Sequence, residues 1–153
     1  MHRCWAAAVL TAGVLCALAL AASPPAGASG VTAKVSPNKG LVAHQSVTVS
    51  GKGLPRASGP NTQTWFVAEC TAAVQGHLDP STDTGHCDLT HAETLKVSRS
   101  GTFSTHYRVT TGIVGDGYCG TPSHLTCVLT VATSQGQGTV ARITFKSPPP
   151  PPS

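Results

Sequence analysis

The residues best equipped for chemistry in this chain are its cysteines, histidines and a few carboxylates. Cysteines stand at 4, 16, 70, 87, 119 and 127, histidines at 2, 44, 77, 86, 91, 106 and 124, and the acidic set is Glu69, Asp79, Asp83, Asp88, Glu93 and Asp116. Cys70, Cys87, His77, His86 and His91 together contain the atoms a zinc ion uses, but no C-x-x-C or H-x-x-x-H pair gives them ligand spacing. His77, His86 and His91 alone could meet on one subdomain to bind a transition metal or respond to pH, but solvated polar side chains without a ligand are the better reading of them. Asp79-Pro80-Ser81-Thr82-Asp83 resembles a calcium loop, yet Thr84 holds the sixth place that needs glycine and Thr90 the twelfth that needs glutamate. No G-x-S-x-G supplies a nucleophilic serine. Gly136-Gln137-Gly138-Thr139-Val140-Ala141 matches G-x-G-x-x-A, but it opens a strand and offers no helix N-terminus to a phosphate. The expected assignment is therefore not an enzyme, with no resident metal.

The compartment decides what the cysteines do. Met1–Arg3 is a short basic start, Ala6–Ala22 is an apolar run, and Ala26-Gly27-Ala28 provides the small residues that signal peptidase requires. Residues 1–28 are expected to be a signal peptide, which makes the protein secreted, with no membrane attachment after cleavage. The apolar run has about 17 residues, at the lower edge for spanning a bilayer, and a cleavage site follows it. Cleavage removes Cys4, Cys16 and Arg3, leaving four cysteines, nine Lys+Arg and six Asp+Glu. An even cysteine count in an exported domain reads as two disulfides. Of three possible pairings the spacing favours the local one, Cys70 with Cys87 and Cys119 with Cys127. In the chain-entropy picture these closures stabilise by about 3.2 and 2.6 kcal/mol.

The elements that must carry these residues are strands. The chain has 153 residues, is 40% hydrophobic and only 10% charged, and contains 16 Gly and 12 Pro; a mean hydropathy of +0.05 excludes a highly charged disordered chain. Val31, Ala33 and Val35 alternate, as do Val47 and Val49, and Trp65-Phe66-Val67-Ala68 reads as a strand buried on both faces. Leu95 and Val97 mark a further strand, with Arg99-Ser100-Gly101 as the hairpin turn into Phe103, Thr105, Tyr107 and Val109. Leu125, Cys127, Leu129 and Val131 share a face, and Ala141, Ile143 and Phe145 close the domain. About seven short strands with Gly-rich turns predict an all-β antiparallel sandwich over residues 29–146. Its core is expected to use Val47, Val49, Trp65, Val67, Leu95, Val97, Phe103, Tyr107, Leu129, Val131, Ile143 and Phe145. Residues 147–153 form a proline-rich tail, in which Pro148–Pro152 favours an extended polyproline II segment.

At the cysteines the chain resembles the neocarzinostatin family, secreted apoproteins that carry enediyne chromophores. The carrying segments are WFVAEC (65–70), HCDL (86–89), RSGTFST (99–105), the pair Cys119/Cys127, SQGQG (134–138) and ARITF (141–145), in that order. The resemblance spans about residues 31–146. It implies an immunoglobulin-like seven-stranded sandwich whose cleft holds an apolar, reactive enediyne chromophore without a covalent bond. It also implies antibacterial activity, with the chromophore carrying out the attack on DNA. By the same resemblance Cys70 and Cys87 form part of the cleft floor, Gly136, Gln137 and Gly138 line its wall, and Glu69 stands where a family member has Gln. The family's aromatic contacts are missing: Thr71-Ala72 replaces a Trp and Ala92 a Phe. The stretch TTGIVGDGY (110–118) is shorter than its counterpart, so only Ile113, Val114 and Tyr118 offer apolar surface there. Fewer aromatic faces imply weaker stacking on that particular chromophore. Known carriers are acidic, whereas this domain has a net charge of about +3. Its basic residues scatter without a run, so DNA is expected to be met only through the ligand. The expected partner is an apolar small molecule, the expected state a monomer, and the alternative an extracellular interaction module without a ligand.

Overall fold

The computed structural model describes residues 30–55, 63–74 and 83–147. The expected signal peptide, Arg56, His77, Asp79 and the proline run from Pro148 lie outside them. Among the described residues nine strands form: β1 (Thr32–Ser36), β2 (Ser46–Lys52), β3 (Trp65–Thr71), β4 (Glu93–Thr94), β5 (Phe103–Arg108), β6 (Gly112–Val114), β7 (Gly117–Cys119), β8 (Thr126–Thr133) and β9 (Gly138–Thr144). Seven of them build two sheets, ordered β1-β2-β5 and β4-β3-β8-β9, while β6 and β7 make a separate ribbon. Every pairing between these strands is antiparallel. The all-β seven-stranded sandwich is thus present, with the ribbon added to it. The only helical element among the described residues is one 3-10 turn at Thr84–His86, and no helix among them is long and apolar enough to cross a membrane.

The three-stranded sheet follows simple alternation. In β2, Val47 and Val49 are buried while Ser46 is exposed and Thr48 and Ser50 are half-buried; in β5, Phe103 and Tyr107 turn inward and Ser104, His106 and Arg108 outward. Val47 faces Tyr107 across the pair, so the apolar side chains of neighbouring strands stack on one face. This is a sheet with one face in the core and one in water.

The four-stranded sheet behaves differently, being buried on both sides. From Val67 to Thr71 no residue of β3 is exposed, and in β8 every residue from Cys127 to Thr133 is buried. One face holds Trp65, Val67, Leu129, Val131 and Ile143 against Val47, Val49, Phe103 and Tyr107 of the other sheet, forming the main core. Eleven of the twelve expected core residues are buried, Val97 being packed at the edge; Leu41, Leu54, Val109, Val114, Cys119 and Cys127 complete the core. Leu41 joins through a parallel bridge to Phe145.

Two expectations need correction. Leu95 and Val97 do not form a strand: β4 is only Glu93–Thr94, paired with Val67 and Phe66. One further bond, from Leu95 N–H to Trp65 O (2.8 Å), ends the pairing. The turn at Arg99–Gly101 is tight, closed by Ser98 N–H to Thr102 O (2.8 Å), but it does not join a hairpin. It carries the chain from the four-stranded sheet to β5 in the other one. Both disulfides form in the local pairing, Cys70–Cys87 and Cys119–Cys127.

Candidate functional site

The second face of the four-stranded sheet is the candidate site. Strand pairing sets its rows: Phe66 beside Ala132 and Gly138, Ala68 beside Thr130 and Val140, and Cys70 beside Val128 and Arg142. Since side chains alternate along a strand, all of these point away from the main core. They make a second apolar cluster of Cys70, Val74, Cys87, Val128 and Ala132, with Phe66 and Val140 half-buried against it. The trough runs about 13 Å from Cys70 to Phe66, at about 3.3 Å per residue. The Cys70–Cys87 bridge lies at one end of it, with Cα atoms 4.0 Å apart. Two polar side chains stand within the rows: Arg142, which is exposed at the edge, and Thr130, whose hydroxyl lies 3.4 Å from Cys70 Sγ.

The β8–β9 turn closes the other end. Gly136 N–H bonds to Thr133 O (3.0 Å) and Thr133 N–H to Gln137 O (2.9 Å). Gly136 is buried with φ 77°, which an L side chain rarely adopts. Gln137 projects into solvent. Gly138 sits in the trough itself, where a Cβ would collide with the Val131 carbonyl oxygen and lie 2.7 Å from Ala132 Cα. Of the expected site residues, Cys70, Cys87, Gly136 and Gly138 are therefore brought to one surface.

Glu69 is not on that surface, and this corrects the expectation that it lines the cleft. It is the neighbour of Cys70 in a strand, so its side chain points the opposite way. It is fully buried between the sheets. Its Oε2 accepts bonds from Thr110 N–H (2.7 Å) and Thr110 Oγ1 (3.1 Å), and its own N–H donates to Tyr107 Oη (3.1 Å). Oε1 has no hydrogen-bond partner. Burial pushes the carboxyl up to about 7, against the Thr110 bonds that favour the anion, with the Asp88 charge adding to the rise. Burial likewise raises the Tyr107 phenol above its ordinary range, with the Glu69 charge contributing. Glu69 ties the end of β5 to β3.

Ile113 and Tyr118 lie on the ribbon as cross-strand partners, 73% and 51% exposed. Tyr118 borders a separate concavity with Thr71, His86, Asp116 and His124, and Ile113 does not reach it. Cys70 and Cys87 are bonded to each other, while His86 and His91 pair with different aspartates, Asp116 (2.6 Å) and Asp88 (2.7 Å). The described residues contain no cluster of three or more metal-ligating side chains.

Phe66, Ala68, Val128, Thr130, Ala132 and Val140 are functional candidates that motif reading missed. Their signal was the lack of alternation in 65–71 and 126–133, which marks a strand apolar on both faces.

No family model and no curated protein matches the chain. Two solved structures are similar. Apokedarcidin is 24% identical over 76% of this chain and 98% of its own, with a TM-score of 0.46. Macromomycin is 22% identical over 76% of this chain and 99% of its own, with a TM-score of 0.55. With two sheets, a ribbon and two local disulfides, the chain has the fold of macromomycin, the neocarzinostatin-type sandwich.

Proposed function

We propose that the protein is a secreted carrier that holds an apolar small molecule, of the enediyne-chromophore type, non-covalently on the outer face of its four-stranded sheet. The observation that carries this reading is the second apolar cluster, which leaves Phe66 and Val140 only half-buried. Ala68, Cys70, Val128, Thr130 and Ala132 of this face are buried, so the surface it offers a ligand is that of Phe66 and Val140; apolar surface on a sheet face that packs on no second sheet marks a binding site. The protein's part is to bind, orient and exclude water; any reactive chemistry belongs to the ligand. Antibacterial and DNA-directed effects would follow from a released chromophore, because the basic residues of the domain form no run that tracks a phosphate backbone. An extracellular interaction module is the second reading, favoured by the exposed pair Ile113 and Tyr118.

Native mass spectrometry of the protein secreted by its own host, kept cold and dark beside a recombinant sample, tests the carrier reading. A non-covalent small molecule in the host sample alone is the expected result, and its ultraviolet spectrum checks the enediyne class. Bare masses in both samples, with no uptake of flat aromatic probes by the recombinant protein, would leave the interaction module. Val140→Arg places a charge in the middle row of the trough and is expected to abolish uptake without unfolding the domain.

A further inference from the structure

The outer face of the three-stranded sheet is the other broad surface of the sandwich, opposite the trough. Val47, Val49, Phe103 and Tyr107 turn inward to the core, so strand alternation sends the residues between them to the outside. Register arranges these in four rows: Thr32 with Lys52, Lys34 with Ser50 and Ser104, Ser36 with Thr48 and His106, and Ser46 with Arg108. Thr48 and Ser50, on the central strand, are half-buried and the others are exposed.

The pairing turns a scatter in sequence into a patch. Lys34, Lys52 and Arg108 are distant along the chain, yet they share a face as long as β2 (Ser46–Lys52), about 20 Å at about 3.3 Å per residue, and two strand spacings or about 10 Å wide. Lys34 lies diagonally across from Lys52, about 7–8 Å away. No carboxylate occupies any row, and none of the three cations makes an ion pair with a described residue. Asp83 and Asp88 stand beside the 3-10 turn, Glu93 on β4 and Asp116 in the ribbon. Glu93 meets the patch at its border, where it lines a concavity with Arg108.

Positive charge without counter-charge attracts an anionic partner, and the other side chains of the face decide its kind. Six of the ten are serine or threonine, and none is aliphatic, Phe, Tyr or Trp. Single-stranded nucleic acid needs aromatic platforms for its bases, and a duplex takes a helix or a β-ribbon into its groove. An amphipathic surface that lies on a membrane buries apolar side chains in it. A flat sheet of hydroxyls and cations offers none of these. Ser and Thr hydroxyls both donate and accept, which matches the hydroxyls of a sugar, and Lys and Arg form charge-assisted bonds with acidic groups.

We propose that this face binds an acidic polysaccharide, with Lys34, Lys52 and Arg108 on its carboxylate or sulfate groups and the Ser and Thr side chains on its hydroxyls. The assignment is independent of the carrier reading, because the two sheets present opposite faces.

Fluorescence anisotropy of the disulfide-bonded protein with labelled oligogalacturonate, a carboxylate probe, and labelled dextran sulfate, a sulfate probe, tests the proposal and tells the two groups apart. At least one of them is expected to bind, and labelled neutral dextran is not. A single-stranded oligonucleotide and phosphatidylglycerol vesicles, added as unlabelled competitors, should displace the bound glycan only at higher concentrations of charge than the unlabelled glycan itself. The logarithm of the binding constant should fall against that of salt with a slope of about −2, from three cations at about 0.7 each. Lys34→Gln, Lys52→Gln and Arg108→Gln should each reduce that slope by about 0.7 and weaken binding severalfold at low salt. Lys96→Gln and Arg142→Gln remove the same charge elsewhere, Arg142 from the other sheet, and should leave the slope unchanged. All five side chains are exposed, so the variants fold. No binding of either acidic glycan, equal binding of neutral dextran, displacement by oligonucleotide or vesicles at lower concentrations of charge, or equal losses in the Lys96 and Arg142 variants would each overturn the assignment.

Discussion

Glu69 gives the sharpest test of the structure because its cost depends on pH in a direction that can be worked out. A carboxyl with an ordinary value of 4.5 that folding raises to about 7 binds its proton more tightly in the folded state. Its contribution is therefore fully present below about pH 4.5 and is lost as pH rises through 7. At 1.36 kcal/mol per pKa unit the loss is about 3 kcal/mol. With urea m-values of about 1–3 kcal/mol/M, the unfolding midpoint of the wild type should fall by about 1–3 M from pH 4.5 to 8. Glu69→Gln keeps an oxygen that can accept both Thr110 bonds and removes the ionisation. Near pH 4.5 the amide and the neutral acid bury comparable groups, so the two proteins should unfold at similar urea concentrations. By pH 8 the variant should be the more stable by about 3 kcal/mol. Every other ionisable group is common to the two proteins, so the difference between the curves reports position 69. Urea titrations at half-unit pH steps, with disulfides intact, provide the measurement. Parallel curves, or a wild type that gains on the variant between pH 4.5 and 8, would refute the assignment of Glu69 as a desolvated interior carboxyl.

Tyr107→Phe removes the hydroxyl that accepts the Glu69 N–H and should cost about 1–3 kcal/mol, read in the same urea assay. Gly138→Ala should cost about 1–3 kcal/mol, because the new methyl meets the Val131 carbonyl and the Ala132 backbone; calorimetry would show the lowered Tm. Replacing Cys70 and Cys87 together by Ala should cost about 3 kcal/mol for the lost loop closure and also weaken probe uptake, since the bridge forms one end of the trough. Replacing Cys119 and Cys127 should cost slightly less and leave uptake intact. A flat aromatic ligand at one hundred times its Kd should raise stability by about 2.7 kcal/mol, and this gain should vanish in Val140→Arg.

The parts of the fold legible in the sequence are those where side-chain pattern and partner agree. Val47 and Val49 alternate with polar residues because one face of their sheet meets water, and the run from Trp65 lacks alternation because apolar clusters form on both of its faces. Disulfide pairing followed from loop spacing alone. Leu95 and Val97 misled because an extended segment crossing between sheets can turn apolar side chains inward without a ladder partner. The ribbon was illegible for the opposite reason. Gly112, Gly115 and Gly117 carry no side-chain pattern, and the contact that seats it, Asp116 to Gly85, joins two loops far apart in sequence.

The candidate sites divide along the same physical line. The family resemblance set Glu69 beside Cys70 in the cleft, yet in a strand adjacency guarantees separation onto opposite faces. Cys70 therefore belongs with Val128 and Ala132, while Glu69 belongs with Tyr107 and Thr110 in the interior. That one-residue step couples the two roles of β3. The buried carboxyl on one face anchors Thr110, two residues before β6 begins, and the disulfide on the other face anchors the loop that leads to His86. Both the ribbon and the loop are thus fastened to the same two residues of a central strand. A displacement of β3 would move the trough and the ribbon together, so a variant that alters the trough without touching it should be sought first at Glu69.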